Sequence, residues 1–384
     1  MAITSRFTFV GTPVLPKKEK AKRPFFKEIN KVDEKTKKTR NMISMTFGMK
    51  ESDNNMAFVE AFDSVQDTIM TMDSDNEKME VAWEDRFDED IVNTVASYRR
   101  YTVDLGEEYG GRCDFITLYD LMQHLNKYLP DYKGKVMVTG QFTREWYGKK
   151  NTYLDKFKIQ NVYAVEEETK SRLALTMDIY YNKDSIDKGE FNESKKIYLN
   201  GYIEQYMGKD EGRKMIPMTF IFSAAKYDLE KEKHKKLFDY KMSYIDIKNK
   251  TMVHIPWDIV LLRGAEEADF DESMLTAKQK EQIELGLKTL DDFKPKGIIM
   301  GDKINEYRLF DPKLTGDFAD GLVDTEEKVS EFEEKIFVPA KDETLDEAKK
   351  NSKTSTKAEK PDDDDKEETT NVSQETDIDD DDLF

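Results

Sequence analysis

Residues 115–142 read FITLYDLMQHLNKYLPDYKGKVMVTGQF, and this stretch decides how the fold is interpreted. Its first half places leucine and methionine three or four residues apart, which gives a helix one apolar face. Pro130 and Gly134 then end the helix, because proline cannot continue one and glycine favours turns. The second half alternates apolar and polar residues, as a half-buried strand does. The stretch therefore predicts a helix over 115–129 and a strand over 136–145.

Strand-like segments lie on both sides of this stretch. The predicted strands are residues 7–14, 42–50 and 56–62 before it and residues 153–165 after it. Residues 64–112, between the third strand and the helix, are treated as an insertion. The order is then strand, strand, strand, helix, strand, strand. A helix between the third and fourth strands is the connectivity of the OB-fold, a partly open five-stranded barrel.

The same segments resemble, strand by strand, the pattern of single-stranded-DNA-binding proteins. The most similar part is the helix followed by Lys-Tyr-Leu, a Gly-Lys turn and the pattern V-x-V-x-G, and the resemblance covers roughly residues 5–167. It implies a mainly β fold with some α (α+β). Residues 1–170 would form an OB-fold domain that binds single-stranded DNA, with a basic loop at 15–40 and the insertion at 64–112.

Residues 171–323 are predicted to form a second OB-like or α+β domain. Residues 196–208 (KIYLNGYIEQYMG) are similar to residues 135–148 (KVMVTGQFTREWYG), since both alternate, contain an internal glycine and close on a glycine. The further predicted elements are a strand at 215–223, a helix at 227–245, a strand at 252–262 and a helix at 271–293. Residues 297–323 read as a glycine-rich appendage. The alternative to a second barrel is an ordinary hairpin that happens to share this pattern.

Charge is distributed unevenly along the 384 residues, whose net charge is -19. Residues 324–384 hold 23 Asp+Glu against 9 Lys+Arg, whereas residues 1–50 hold 13 Lys+Arg against 4 Asp+Glu. Blocks of one sign usually mark interaction tails or anion-binding arms. The sequence therefore predicts a basic head and an acidic tail, and the tail is expected to be disordered because it has few apolar residues to bury.

Single strands are bound by cationic grooves and by aromatic faces on which bases stack. Both ingredients occur in the first inter-strand loop, on the third strand and in the last hairpin of the first domain. The candidate nucleic-acid-binding residues are Lys22, Arg23, Phe25, Phe26, Lys37, Lys38, Arg40, Phe58, Phe62, Arg144, Trp146, Tyr147, Lys149, Lys150, Tyr153 and Lys156. Three alternatives stay open. Phe58 and Phe62 could belong to the core, one of the neighbours Trp146 and Tyr147 could pack inward, and the basic loop could be a solvated arm.

The chain finishes with the residues QETDIDDDDLF. This ending resembles the acidic tails of bacterial and phage single-stranded-DNA-binding proteins, which dock replication and repair partners and compete with DNA for the basic groove. The resemblance implies a partner-binding role for Asp379, Asp380, Asp381, Asp382, Leu383 and Phe384. Bacterial tails carry proline before the final phenylalanine, so Leu383 favours a phage or mobile-element version. The alternative is a tail that serves solubility alone.

Several function classes find no support in the sequence. One cysteine, Cys113, excludes a disulfide framework, and three histidines without ligand spacing argue against a histidine-based metal site. No phosphate-binding loop or nucleophile motif is present, so neither an enzyme nor a cofactor is predicted. The acidic residues 83–90 (WEDRFDED) are interpreted as a solvated loop rather than as a nuclease site.

No apolar run approaches the ~18 residues of a membrane span, and residues 1–11 do not look like a secretory signal. The sequence therefore predicts a cytoplasmic protein, in the host cytoplasm if it is phage-encoded. Its predicted role is non-enzymatic binding of single-stranded DNA in replication, recombination or repair. The alternatives are an OB-fold protein–protein adaptor or inhibitor without nucleic-acid binding, and an RNA-binding protein or a nuclease.

Overall fold

The structure is a computed structural model that describes residues 5–16, 24–32, 39–148, 152–209, 212–248, 252–267, 275–293 and 300–313. In the first half of the chain the strands are β1 Arg6–Val14, β2 Phe26–Val32, β3 Thr39–Ser52, β4 Asn55–Ser64, β5 Thr68–Met72, β6 Lys78–Ala82, β7 Tyr101–Asp104, β8 Arg112–Phe115, β9 Lys135–Tyr147 and β10 Thr152–Val165. In the second half they are β11 Arg172–Tyr181, β12 Ile186–Asp187, β13 Lys196–Tyr206, β14 Arg213–Ser223, β15 Val253–Glu267 and β16 Met300–Pro312. The helices are α1 Glu89–Thr94, α2 Leu118–Tyr128, α3 Phe191–Ser194, α4 Glu232–Ile245 and α5 Ala277–Glu284. The described chain is thus mainly β with a few helices, as predicted.

Five strands of the first half form a closed circuit of pairings, which we call the first circuit. Its order is β1–β3–β4–β10–β9 and back to β1. The β4–β10 contact is parallel, with Lys158 opposite Glu60, and the other four are antiparallel. Gly140 allows β9 to approach β10 closely, because a Cβ at this position would lie 2.0 Å from the carbonyl oxygen of Lys158. Helix α2 falls in sequence between the third and fourth strands of the circuit.

Five strands of the second half repeat the same arrangement and form the second circuit. Its order is β11–β13–β14–β16–β15 and back to β11. Again one contact is parallel, between β14 and β16, where Ile221 lies opposite Arg308. Helix α4 falls between the third and fourth strands, as α2 does in the first circuit. The pairing order is therefore duplicated along the chain.

The two circuits share one hydrogen-bonded sheet and one apolar core. Their first strands, β1 and β11, pair antiparallel with Arg6 opposite Thr176. Buried residues of both circuits belong to one continuous apolar cluster, which includes Phe47 from the first and Trp257 from the second. Gly264 on β15 meets the turn before β4 so closely that a Cβ there would lie 1.9 Å from the carbonyl oxygen of Asn54.

The insertion has a small apolar cluster, made by its Ile69, Val81 and Val95 together with Ile116, which lies just after it. Strands β5 and β6 form its separate two-stranded sheet, whereas β7 pairs in parallel with β10 and joins the main sheet. Arg86 anchors it to α2, because its Nε lies 2.9 Å from the Asp120 carboxylate. Residues 64–112 carry 13 Asp+Glu and 5 Lys+Arg, so this module presents mainly negative charge.

Several elements differ from the sequence-based expectations. Strand β2 lies inside the expected basic loop, because residues 26–32 pair with β3. Residues 91–101 of the insertion, whose sequence predicts one short helix, instead hold the end of α1, a 3-10 turn and the start of β7. Helix α5 covers only part of residues 271–293, and β16 occupies part of the expected appendage. Strand β2 pairs with the next strand in the chain, whereas β16 is held by pairing with distant residues, which local sequence patterns do not report.

Candidate nucleic-acid interface

Strand β4 presents two aromatic rings to solvent. Its alternation buries Ala57, Val59 and Ala61, while Phe58 is 39% exposed and Phe62 is 53% exposed. Because successive side chains of a strand point to opposite faces, both rings and Glu60 between them lie on the outer side. The third strand of the first circuit therefore offers its phenylalanines to a ligand rather than to the core.

Strand β3 leaves these two rings uncovered. In the antiparallel register Gly48 lies opposite Phe58, Thr46 opposite Glu60 and Ser44 opposite Phe62. Side chains directly opposite one another are near neighbours in an antiparallel pair, and glycine and serine are too small to cover a phenyl ring. Flat apolar surface remains open at both positions, as stacking of a base requires.

Lysines and a glutamate lie next to β4 on the edge opposite to β3, where β10 is its neighbour. The Nζ atoms of Lys156 and Lys158 on β10 each lie 3.0 Å from the carboxylate of Glu145 on β9. Lys156 Nζ also lies 3.6 Å from the carboxylate of Glu60. We call Phe58, Glu60 and Phe62, together with Lys156, Lys158 and Glu145, the phenylalanine face. It combines aromatic surface with a cationic pair that already holds internal counter-charges.

The glutamate that bridges the two lysines is ionised. Burial raises the pKa of Glu145, but the hydrogen bonds and positive charges of Lys158 and Lys156 outweigh burial, so that its pKa lies below the ordinary value. In the free protein the two ammonium groups therefore face a carboxylate rather than solvent alone.

The β2–β3 side of the face adds further cations. Lys27 is exposed and lies opposite Ser44, which in turn lies opposite Phe62. Arg40 on β3 is also exposed. Neighbouring strands are separated by about 4.8 Å, which puts the Lys27 backbone about 10 Å from that of Phe62, within reach of a lysine side chain.

The two phenylalanines expected in the basic loop are used for packing. Phe25 and Phe26 are half-buried against the core, and the Phe25 ring lies 6.2 Å from that of Phe47. The structure therefore does not bring them to the phenylalanine face. Six basic residues of the predicted set lie outside the described ranges: Lys22, Arg23, Lys37, Lys38, Lys149 and Lys150. The whole tail also lies outside them, including Asp379, Asp380, Asp381, Asp382, Leu383 and Phe384.

The β9–β10 hairpin divides the remaining predicted residues between its two sides. Arg144, Trp146 and Tyr153 are on the side opposite to Glu145 and Lys156, as the alternation and register require. Trp146 is 38% exposed and meets the Tyr153 ring edge-on at 4.9 Å. Tyr147 is half-buried and lies on the Glu145 side.

Arg144 is occupied within the protein. Its guanidinium lies 3.1 Å from the Asp155 carboxylate, and its Nη1 donates a 2.8 Å hydrogen bond to the carbonyl oxygen of Pro217 in the second circuit. The side chain is 13% exposed. These contacts make Arg144 a residue that joins the two circuits. Little of its guanidinium group remains accessible to a phosphate.

Three members of the phenylalanine face, Glu60, Lys158 and Glu145, are absent from the set predicted from sequence. Alternation along β10 places Lys158 on the same side as Lys156, and this signal could have found it. The position of Glu145 between both lysines depends on the register of β9 against β10, which sequence alone does not supply.

Other kinds of site find no geometry in the described residues. Over the described ranges, no group of three or more histidine, cysteine, aspartate or glutamate residues is arranged to hold a metal ion. In the same part of the chain, no helix is both long and apolar enough to cross a membrane.

Comparison with known proteins gives little further information. No protein-family model matches the chain, and no curated protein matches its sequence. Among solved structures, it is similar to a deletion mutant of the single-stranded DNA binding protein from Thermus aquaticus, at 7% identity over 68% of this chain and 87% of that chain. The TM-score of 0.27 is too low to carry an argument, so the interpretation rests on the geometry described above.

Proposed function

We propose that this chain binds single-stranded DNA on the phenylalanine face. The observation that carries the proposal is the pair of exposed rings, Phe58 and Phe62, each opposite a small residue and flanked by Lys156 and Lys158. Bases of any sequence stack on aromatic rings, and each stacked base contributes about 1–3 kcal/mol. Lysines beside the rings neutralise the phosphates that connect those bases.

The strand order supports an OB-fold reading of the first circuit. In OB-folds the face of strands two and three binds oligonucleotides, together with the loop between the first two strands and the last hairpin. Strands β3 and β4 occupy those two positions, and α2 separates the third strand from the fourth. We extend the reading to the second circuit as a second OB-like barrel, with a domain boundary near residue 170 and the tail from 324.

The proposed role is in DNA replication, recombination or repair, in a phage or mobile element. Lys22, Arg23, Lys37 and Lys38 would extend the cationic surface from the basic loop. The acidic tail, ending in Leu383 and Phe384, would recruit protein partners and compete with DNA for the lysines. The block charge of the tail, 23 Asp+Glu against 9 Lys+Arg over residues 324–384, supports this competition.

Fluorescence anisotropy of a labelled 30-nucleotide oligo-dT tests the proposal. The wild-type chain is expected to bind the single strand in preference to duplex. A plot of log K against the logarithm of the salt concentration should have a slope of about -0.7 for each phosphate neutralised. Phe58→Ala with Phe62→Ala removes both rings and is expected to weaken binding by at least about 2 kcal/mol, roughly 30-fold. A chain cut after Lys360 is expected to bind more tightly than the full chain.

Phe87→Ala is the matched control for the ring deletions. Phe87 is 58% exposed but lies on the acidic insertion, where it packs on Arg86, so its removal should leave the affinity unchanged. Absence of binding by the full and shortened chains at low salt would exclude the proposal. That result would favour a protein–protein adaptor, whose apolar interface responds little to salt.

A further inference from the structure

One carboxylate bridges both lysines of the phenylalanine face. The Glu145 carboxylate lies 3.0 Å from Lys156 Nζ and 3.0 Å from Lys158 Nζ. Lys156 has a second carboxylate, that of Glu60, at 3.6 Å. None of these groups is deeply buried, since Glu145 is 40% exposed and Lys158 is 46% exposed. The whole network is therefore accessible to an anion in solution.

The network lies where the backbone of a stacked strand has to pass. Phe58 and Phe62 are four residues apart on β4, roughly 13 Å at the rise of a strand, and Glu60 lies midway between them on the same side. Lys158 is the residue opposite Glu60 on β10. In a strand whose bases stack on both rings, the phosphates between those bases would run beside Glu60 and the two lysines.

A phosphate group can replace the carboxylates as the partner of these lysines. A phosphate oxygen is as good an acceptor for an ammonium group as a carboxylate is. Exposed ion pairs are weak, so a ligand that gains stacking energy can displace them. After the exchange, Glu145 and Glu60 lie next to phosphate without their lysine partners, and the repulsion between like charges opposes binding.

We propose that Glu145, assisted by Glu60, acts as an internal substitute for phosphate that occupies Lys156 and Lys158 until single-stranded DNA displaces it, and so limits the affinity of the face. This inference rests on the proposed function and identifies a specificity determinant within that site. A ligand that offers phosphate without bases to stack has to displace the same carboxylates with no compensating gain. The glutamates thereby favour ligands that engage both rings and lysines.

Glu145→Gln tests this role, because glutamine keeps the size of the side chain and removes its charge. Binding of 30-nucleotide oligo-dT at low salt is expected to tighten about three- to ten-fold, as two exposed ion pairs no longer compete. Glu167→Gln is the matched control. Glu167 is also an exposed carboxylate near a lysine, 3.7 Å from Lys135, but it does not contact the phenylalanine face, so its substitution should change affinity less than about two-fold.

The second arm places Glu145→Gln in a chain that carries Lys156→Gln and Lys158→Gln. If the glutamate acts by occupying these lysines, its substitution no longer increases affinity in that background. Circular dichroism and a melting curve of each variant establish that the compared chains are folded.

Each outcome decides the question. A wild-type chain that does not bind oligo-dT overturns both the proposed function and this inference. If the wild-type chain binds and the phenylalanine substitutions weaken binding, the proposed function is supported. The Glu145→Gln results then decide on the inference separately. The inference is wrong if Glu145→Gln leaves affinity unchanged or weakens it, or if the gain persists without the lysines.

Discussion

Asp155 is the residue on which the contact between the two circuits converges. Its carboxylate lies 3.1 Å from the Arg144 guanidinium, 3.6 Å from that of Arg263, and accepts a 2.7 Å hydrogen bond from the Tyr307 hydroxyl. The side chain is 8% exposed. Burial, and then the Asp155 charge, raise the pKa of Tyr307 well above the ordinary value, so this hydroxyl stays protonated and remains a donor.

Asp155→Ala is expected to destabilise the protein by about 3 kcal/mol, because it leaves two largely enclosed arginines, Arg144 and Arg263, without their counter-charge. Urea unfolding followed by circular dichroism measures the change. Asp228→Ala is the control, since Asp228 also pairs with a basic residue, Lys231, but at an exposed position, and a much smaller change is expected there. Equal effects of the two substitutions would show that the Asp155 cluster does not join the circuits.

Residue roles were only partly predictable from sequence. Alternation along β4 was enough to place Phe58 and Phe62 together on one side, opposite to Ala57 and Val59. It could not show that the Arg144 side chain is only 13% exposed, because a cation near the end of a strand pair is expected at the surface. The partners that bury it come from the adjacent strand and from the second circuit, and no local pattern contains them.

Strand β16 shows the corresponding limit for elements. Residues 297–323 read as an appendage, yet β16 pairs along β15, contacts β14 in parallel, and buries Tyr307 and Leu309 in the common core. It is the strand that closes the second circuit. Its apolar content is low for a strand buried in a core, and its position is fixed by pairing with residues about 45 positions earlier.

A chain that ends after Lys313 is expected to keep the melting temperature of the full chain, because the described fold is then intact. A chain that ends after Phe293 lacks β16, leaves β14 and β15 with open edges, and is expected to melt at lower temperature or fail to fold. Thermal unfolding of both shortened chains makes the comparison. Equal melting temperatures would mean that the second circuit does not need its fifth strand.

The internal sequence similarity connects strands that are not equivalent. Residues 135–148 hold the fourth strand of the first circuit, whereas residues 196–208 hold the second strand of the second circuit. What they share is a glycine where another backbone approaches. A Cβ at Gly140 would lie 2.0 Å from the Lys158 carbonyl oxygen, and one at Gly201 would lie 3.0 Å from that of Tyr180. The shared glycine thus marks a position where two backbones lie close together in a closed circuit. The similarity between the two halves of the chain lies in the pairing order of their strands and not in these two segments.

At the scale of the whole molecule, the two circuits, proposed above as two domains, are closely joined. The β1–β11 ladder joins their sheets, and their apolar cluster is continuous. The Phe142 ring of the first circuit lies 5.8 Å from the Tyr307 ring of the second. Loss of either circuit would expose apolar surface and buried charge on the other, which couples their stabilities.

Unfolding in urea is therefore expected to be a single transition. A chain with Trp83→Phe and Trp146→Phe keeps only Trp257, which is fully buried in the second circuit and reports on it by fluorescence. Circular dichroism of the same chain reports on all strands. The two signals should give one midpoint, and two separate midpoints would show that the circuits unfold independently.

The position of β1 between β9 and β11 has a consequence for how the chain is made. β1 leaves the ribosome first, but the strands that flank it lie about 130 and 170 residues later. At 5–20 residues per second, about 7–34 s of synthesis separate the strand from its neighbours. Residues 12–14 of β1 can pair with β3 much earlier, but residues 6–11 stay without both of their neighbours throughout that interval, and this is the period in which ribosome-associated chaperones would have most to protect.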